Sequence, residues 1–249
     1  MPIPKKAVRS KQASAPRRKR REGPGTPLKR EQIVATALAL VDREGLRALS
    51  MRRLGAELGV DPMAIYYHLP NKQALLDAIV EAVMAEIDLS VDHRAEPPEE
   101  RIMCAARAYR DTMLAHANAL PIVLTRGPAT PTAMRPVELL IGILRDAGLP
   151  PAQALAGMNT IAAAVRGAVG MGDAASKQPT HEQFETAMRA LPPGEFPNLL
   201  EAMPYAGEFF ESGFDFGLRA LACGLVAEAR PAEEEKLLRN LRQARGFQS

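Results

Sequence analysis

Ser50-Met51-Arg52-Arg53-Leu54-Gly55-Ala56-Glu57-Leu58-Gly59-Val60-Asp61-Pro62-Met63-Ala64-Ile65-Tyr66-Tyr67-His68-Leu69-Pro70-Asn71-Lys72 is the stretch on which the fold turns. Ser50 is of the residue class that caps a helix by accepting from an otherwise orphaned backbone N–H. Leu54 and Leu58 then share one side of the helix it opens. Gly59 stands where a tight turn needs a residue at ease with positive φ. Asp61 caps a second, short helix with Pro62 at its first position, where the missing N–H costs nothing. That helix runs from Pro62 to His68 and must stop before Pro70. Asn71 caps the next. A helix, a glycine-centred turn and a short helix make a helix-turn-helix.

The pattern extends outward on both sides. Ile33, Ala37, Leu40 and Val41 form one apolar face of a preceding helix that ends at Gly45. Leu76, Ile79, Val83 and Ile87 form the buried stripe of the helix that Asn71 opens. Residues 28–90 therefore read as one helical unit built around the turn.

Within the short helix, Ile65 points inward with Leu54, Leu58 and Val60, which leaves Met63, Ala64, Tyr66, Tyr67 and His68 outward. A short helix braced by another is the arrangement that places side chains against base edges in a DNA major groove. Small and apolar groups at Met63 and Ala64 suit a thymine methyl, and Arg52 suits a guanine edge. The hydroxyls of Tyr66 and Tyr67, together with His68 and Lys72, suit phosphates. Ser50 and Pro62, at the two helix starts, complete the candidate DNA-contacting set. A core role for the tyrosines is the competing reading. Adjacent residues on a helix cannot both face one core, so at most one is accounted for that way.

Charge points the same way. The 249-residue chain has a formal net charge of +3, yet residues 1–30 hold eleven basic residues and one acidic residue, leaving −7 for residues 31–249. A basic arm on an acidic body fits a polyanionic partner, although a solubilising tail has the same composition. Residues 1–27, rich in Lys, Arg, Pro, Ser and Gly, are expected to be disordered. The chain is 47% hydrophobic and 24% charged, with 4% aromatics and no Trp, which favours a soluble, core-forming protein over aromatic-cored β-folds. Two cysteines, Cys104 and Cys223, exclude a disulfide framework and a Cys-rich zinc site; both sit in apolar helical contexts and are expected to be buried. No apolar run has the length of a membrane span, and no hydrophobic region follows the basic N-terminus as in a secretory signal. A cytoplasmic, nucleoid-associated location is expected.

Residues 91–249 continue in helical spacing, with proline-rich breaks at 96–98, 127–131, 150–151, 192–193 and 204. Helices are expected near 98–117, 132–147, 151–176, 181–190, 205–228 and 232–244, so the fold class is all-α. Segments 151–176 and 205–228 are rich in Ala, Gly and Leu, which permits close helix packing, within one chain or between two. Catalytic signals are weak. Gly167, Gly170 and Gly172 follow no strand, His181-Glu182 lacks the second histidine of a zincin, and Ser212 lacks a nucleophile elbow. A helical enzyme with a fortuitous helix-turn-helix is the alternative, but no convergent cluster supports it. A lipid-binding arm would need large apolar residues between Lys5 and Arg21, and almost none are there.

The run Ile33–Val41, Glu44-Gly45, Ser50–Val60 and Tyr66-Tyr67-His68-Leu69-Pro70-Asn71-Lys72-Gln73-Ala74-Leu75-Leu76 resembles the DNA-binding domain of the TetR family of bacterial repressors. Phe214-Asp215-Phe216-Gly217-Leu218, Leu221 and Gly224-Leu225 resemble the last long helix of the tetracycline-repressor subgroup. The resemblance implies a homodimer on a palindromic operator in double-stranded DNA, released by a small-molecule effector bound in the C-terminal domain. It makes 151–176 and 205–228 the candidate dimerisation pair. It also invites a magnesium-chelated effector, which the residues disfavour. Ala105 and Val123 stand where the subgroup has a pocket asparagine and a metal-binding histidine, and oxygen or imidazole ligands are what such a cation needs. A largely apolar effector is expected, with no metal or other cofactor, between 98–117 and 132–176. Tyr109, Met113, His116, Met134, Asn159, Arg166 and Met171 are the candidate pocket residues, methionines supplying adaptable walls and the polar groups the anchors.

Overall fold

The computed structural model describes residues 27–175, 186, 190–192, 194–208 and 213–229. The basic arm up to Thr26, most of the helix expected at 181–190 and all of that expected at 232–244 lie outside them. Among the described residues every regular element is helical. The N-terminal unit has α1 (Arg30–Glu44), α2 (Met51–Leu58), α3 (Pro62–His68) and α4 (Lys72–Ala85). There follow α5 (Pro98–Ala115), α6 (Leu120–Thr125), α7 (Pro131–Asp146), α8 (Pro151–Ala175), α9 (Pro197–Ala202) and α10 (213–229).

The caps act locally, as the sequence requires. Ser50 accepts from the N–H of Arg53, Asp61 from Met63 and Asn71 from Ala74, each satisfying one orphan donor of a helix start. Gly59 takes the left-handed conformation at φ 69°, where any other residue would be strained. Gly55 matters for a different reason: an added Cβ would sit 3.0 Å from the carbonyl of Val60 and 3.3 Å from Pro62. The turn can close α3 onto α2 because nothing projects from Gly55.

Two apolar clusters hold the chain. The first joins Ile33, Leu40, Leu49, Leu54, Ile65, Leu75 and Ile79, and continues without a break into Met113, Leu120, Ile122 and Val169. The second joins Ile102, Met103, Ile143, Leu144, Ile161 and Val165 to Leu218, Ala222 and Val226 of α10. The N-terminal unit thus shares its core with the helical body, and α4 packs directly on α5, α6 and α7. Movement in the body cannot leave α4 unaffected, because close-packed interiors transmit strain.

Several expectations need correction. Of the helix expected at 205–228, residues 205–208 belong instead to a 3₁₀ segment, Met203–Glu208, and 213–228 are helical within α10, while 209–212 lie outside the described residues. Helices α6 and α9 were not expected; Pro121 and Pro197 open them at the first turn, where proline is tolerated. Ile87 is buried but lies beyond the end of α4, and the more fully covered stripe is Leu75, Ile79, Val80 and Val83. Cys223 is exposed and Cys104 only half-buried, because both lie off the inward face of their helices.

Candidate DNA-contacting helix and effector cavity

Helix α3 is anchored by one residue. Ile65 is fully buried, held against the Leu54 side of α2, and this fixes the rotation of the short helix. The remaining side chains follow from that rotation: Tyr67 is 88% exposed, Met63 71% and Tyr66 39%, with Pro62, Ala64 and His68 half-buried. Tyr67 and His68 meet edge to face, ring centroids 5.4 Å apart. A large apolar side chain and an aromatic one held in water at the tip of a braced helix lose nothing by insertion into a groove. Arg52 is exposed on α2.

Lys72 and Ser50 are partly engaged within the chain. The Lys72 ammonium donates to the Leu49 carbonyl at 2.7 Å, tying the start of α4 to the residue before the α2 cap. It retains two further donors. The Ser50 oxygen accepts from Arg53 at 3.1 Å, so its own proton remains to donate. On the adjoining surface Arg43 and Arg53 interlace with Glu44 and Glu57. These arginines serve the packing of α1 on α2 rather than adding free positive charge beside α3.

The body contains a cavity of about 530 Å³, a size ordinary for small-molecule sites, walled by α5, α6, α7 and α8 and reaching Met84 of α4. Four expected residues line it: Tyr109, Met134, Asn159 and Arg166. Two do not. Met113 is buried in the first core, and the cavity lining does not include it. His116 is held between two carboxylates, Nδ1 to Asp42 and Nε2 to Glu86, each at 2.8 Å. The side chain of Met171 lies outside the described residues. Val123 lines the cavity, whereas Ala105 packs against the second core. Among the described residues no three His, Cys, Asp or Glu side chains gather as a cation site.

Beyond Val123, what the sequence did not disclose is the cavity's end nearest the N-terminal unit: Leu124, Thr125, Arg126, Gly127 and Pro128. Gly127-Pro128 reads as a chain break, and nothing local says that the break caps a cavity. Arg126 lines that end and also reaches Asp77 and Gln73 of α4. A second tie lies at His116. Burial opposes a charged ring there, but the hydrogen bonds to Glu86 and Asp42 outweigh it and hold the imidazole above its ordinary pKa. Asn118 donates to the Asp42 carbonyl at 2.8 Å. The helical body around the cavity and the N-terminal unit are therefore joined by packed apolar surface and by polar ties at Arg126 and His116.

Comparison with known proteins agrees with this geometry. Residues 33–79 match the family "Bacterial regulatory proteins, tetR family" and residues 96–229 match "Tetracyclin repressor-like, C-terminal domain". A transcriptional regulator of Saccharopolyspora erythraea is 30% identical over 205 residues, 81% of this chain and 86% of its own. The class C tetracycline repressor of Escherichia coli is 28% identical over 223 residues, 86% of this chain and 98% of its own. The crystal structure of apo ActR from Streptomyces coelicolor superposes with a TM-score of 0.75 at 30% identity, covering 84% of this chain and 99% of that one. ActR bound to actinorhodin gives 0.73 at 30% identity over 82% of this chain and 98% of that one. With a short outward-facing helix braced by a capped turn, and both halves matched in order, this chain belongs to the TetR family of bacterial transcriptional regulators and is not an enzyme.

Proposed function

We propose that the chain is a homodimeric repressor that reads a palindromic operator with one α3 per half-site and releases it when a small, largely apolar effector fills the 530 Å³ cavity. In this reading residues 1–27 form a basic arm, 28–90 the DNA-binding unit, and 91–249 the effector-binding and dimerisation unit. The observation that carries it is the outward presentation of Met63, Tyr66 and Tyr67 on a helix whose rotation Ile65 fixes. The related ActR is described in complex with actinorhodin and with (S)-DNPA, which supports an effector in the corresponding cavity. Release follows from the shared core and the Arg126 tie: an effector that binds best when the α6 end is displaced shifts α4, and with it the spacing of the two α3 helices. This requires tighter binding to the displaced state than to the DNA-competent one.

The reading is tested with duplexes selected from a random library by the purified chain, measured by fluorescence anisotropy. Arg52→Ala is expected to cost about 1–3 kcal/mol and to relax the preference at one base position. Lys72→Ala is expected to weaken all sequences by similar factors. The pair Arg52→Ala with Tyr67→Ala, affecting both half-sites, is expected to lose selective binding. Wild-type affinity and selectivity in that double variant would sink the assignment of α3.

A further inference from the structure

Resting on the reading of the cavity as the effector site, the geometry points to an organic anion as its ligand: an apolar body carrying one acidic group, received by Arg166. Among the described residues lining the cavity, the polar ones are Tyr109, Thr125, Arg126, Asn159 and Arg166, with no carboxylate and no histidine. The two arginines differ in state. Arg126 meets Asp77 and Gln73, so its charge is answered within the chain. Arg166 is half-buried, and its single hydrogen bond among the described residues is a long one, 3.5 Å, to the Tyr109 hydroxyl.

That condition sets Arg166 apart from three other arginines of the body. Arg101 closes on Asp92 and Asp146 at 2.6 and 3.1 Å, Arg107 closes on Asp215 at 2.7 Å, and Arg110 lies 4.6 Å over the ring of Phe214. A guanidinium drawn partly out of water in a cavity also lined by Met158 and Ile161 loses hydration, and among the described residues no carboxylate replaces it. A ligand carboxylate does so, since the planar guanidinium matches it with two parallel hydrogen bonds. The other groups are consistent with this. Tyr109 accepts from Arg166 and so keeps its own proton to donate, and Asn159 offers an amide N–H₂. A carboxylate only accepts, and these three side chains can all donate. The methionine, leucine and valine walls then take the apolar body. A neutral ligand gains the walls alone, and a cation meets an unanswered positive charge.

A matched pair of dyes separates these cases: anilinonaphthalene sulfonate, an anion, and N-phenylnaphthylamine, the same ring system without the acid. Both are titrated against the full chain and read by fluorescence. The anion is expected to bind at least about tenfold tighter, a difference of about 1.4 kcal/mol. Arg166→Met is expected to remove most of that preference while leaving the neutral dye within about twofold. Met134→Trp, at a half-exposed position on the cavity wall, is expected to weaken both dyes and so places them there. Equal affinities that Arg166→Met leaves equal would overturn the anion assignment while the cavity reading stands. Binding of both dyes unaffected by Met134→Trp would remove the cavity reading, and this proposal with it.

Discussion

A chain carrying Gly217→Arg together with Gly224→Arg is expected to run as a monomer and to lose tight operator binding in the same step. Both glycines lie on α10, and a Cβ built at either meets nothing within 4 Å, so a side chain can leave the helix there without striking a described neighbour at its first atom. The same surface carries Phe216, 79% exposed, with Ala220, Cys223 and Ala227 beside it. On α8, Ala152, Leu155, Ala156, Ala163 and Gly167 are likewise exposed. The two helices also touch, since Leu225 comes within 3.1 Å of a Cβ placed on Gly157. Small apolar stripes on two adjoining helices allow a second copy to approach closely, and two bulky charges buried in such a contact would be unpaired. Joining two half-site readers raises overall affinity by about 10²–10⁴, so losing the dimer is expected to weaken operator binding by a factor of that order. Sedimentation and anisotropy on one preparation check both halves. A monomer that still binds the full palindrome tightly would reject the dimer model.

The largest effect on stability is expected from Arg101→Met. Arg101 is among the few charged side chains buried in the described residues. It donates to Asp92 through Nε at 2.6 Å and Nη2 at 3.1 Å, and from Nη2 to Asp146 at 3.1 Å. It thereby ties the loop between α4 and α5 to the end of α7. Methionine keeps the apolar stem but leaves the 9%-exposed carboxylate of Asp92 unpaired, a loss of about 3–5 kcal/mol. The effect has a pH signature. The Arg101 hydrogen bond holds Asp92 below its ordinary value of 3.8. Its contribution is therefore fully present above 3.8 and is lost as pH falls through the lower, folded-state value. In the variant only the nearby charges of Arg94 and His93 still oppose that burial, and acid relieves the penalty by neutralising the carboxylate. The gap between wild type and variant in urea unfolding is thus expected to hold from pH 7 to about pH 4 and to narrow on acidification below 3.8. A gap of under about 1 kcal/mol at pH 7, or one that widens in acid, would contradict the burial argument.

Which parts of this arrangement were legible in the sequence follows from the range of the interactions. Ser50, Asp61 and Asn71 bond to backbone two or three residues away, and Gly59 and Pro62 impose local conformation, so the helix-turn-helix could be read directly. The inward turn of Ile65 follows from helical period. Longer-range partners were another matter. His116 has the chemistry of a pocket anchor, but its partners Asp42 and Glu86 lie 74 and 30 residues away, and no pattern around it names them. Met113 and Met134 are alike in sequence terms, yet one is buried in the first core and the other lines the cavity. Which face of a helix meets its own chain and which is left outward depends on packing, and for that reason Cys223 was expected inside and is found exposed. The end of the cavity at Arg126 was missed because a glycine–proline break carries no signal of what it closes.

The central claim, that α3 of each of two copies enters the major groove of one operator, is tested most directly by methylation interference at guanine N7. The account predicts two symmetric clusters of interference on one face of the duplex, about 34–36 Å apart or a multiple of it, both lost when Tyr67→Ala is combined with Arg52→Ala. A single cluster, no interference at guanine N7 in a bound site that contains guanines, or two clusters that survive the double substitution would contradict it.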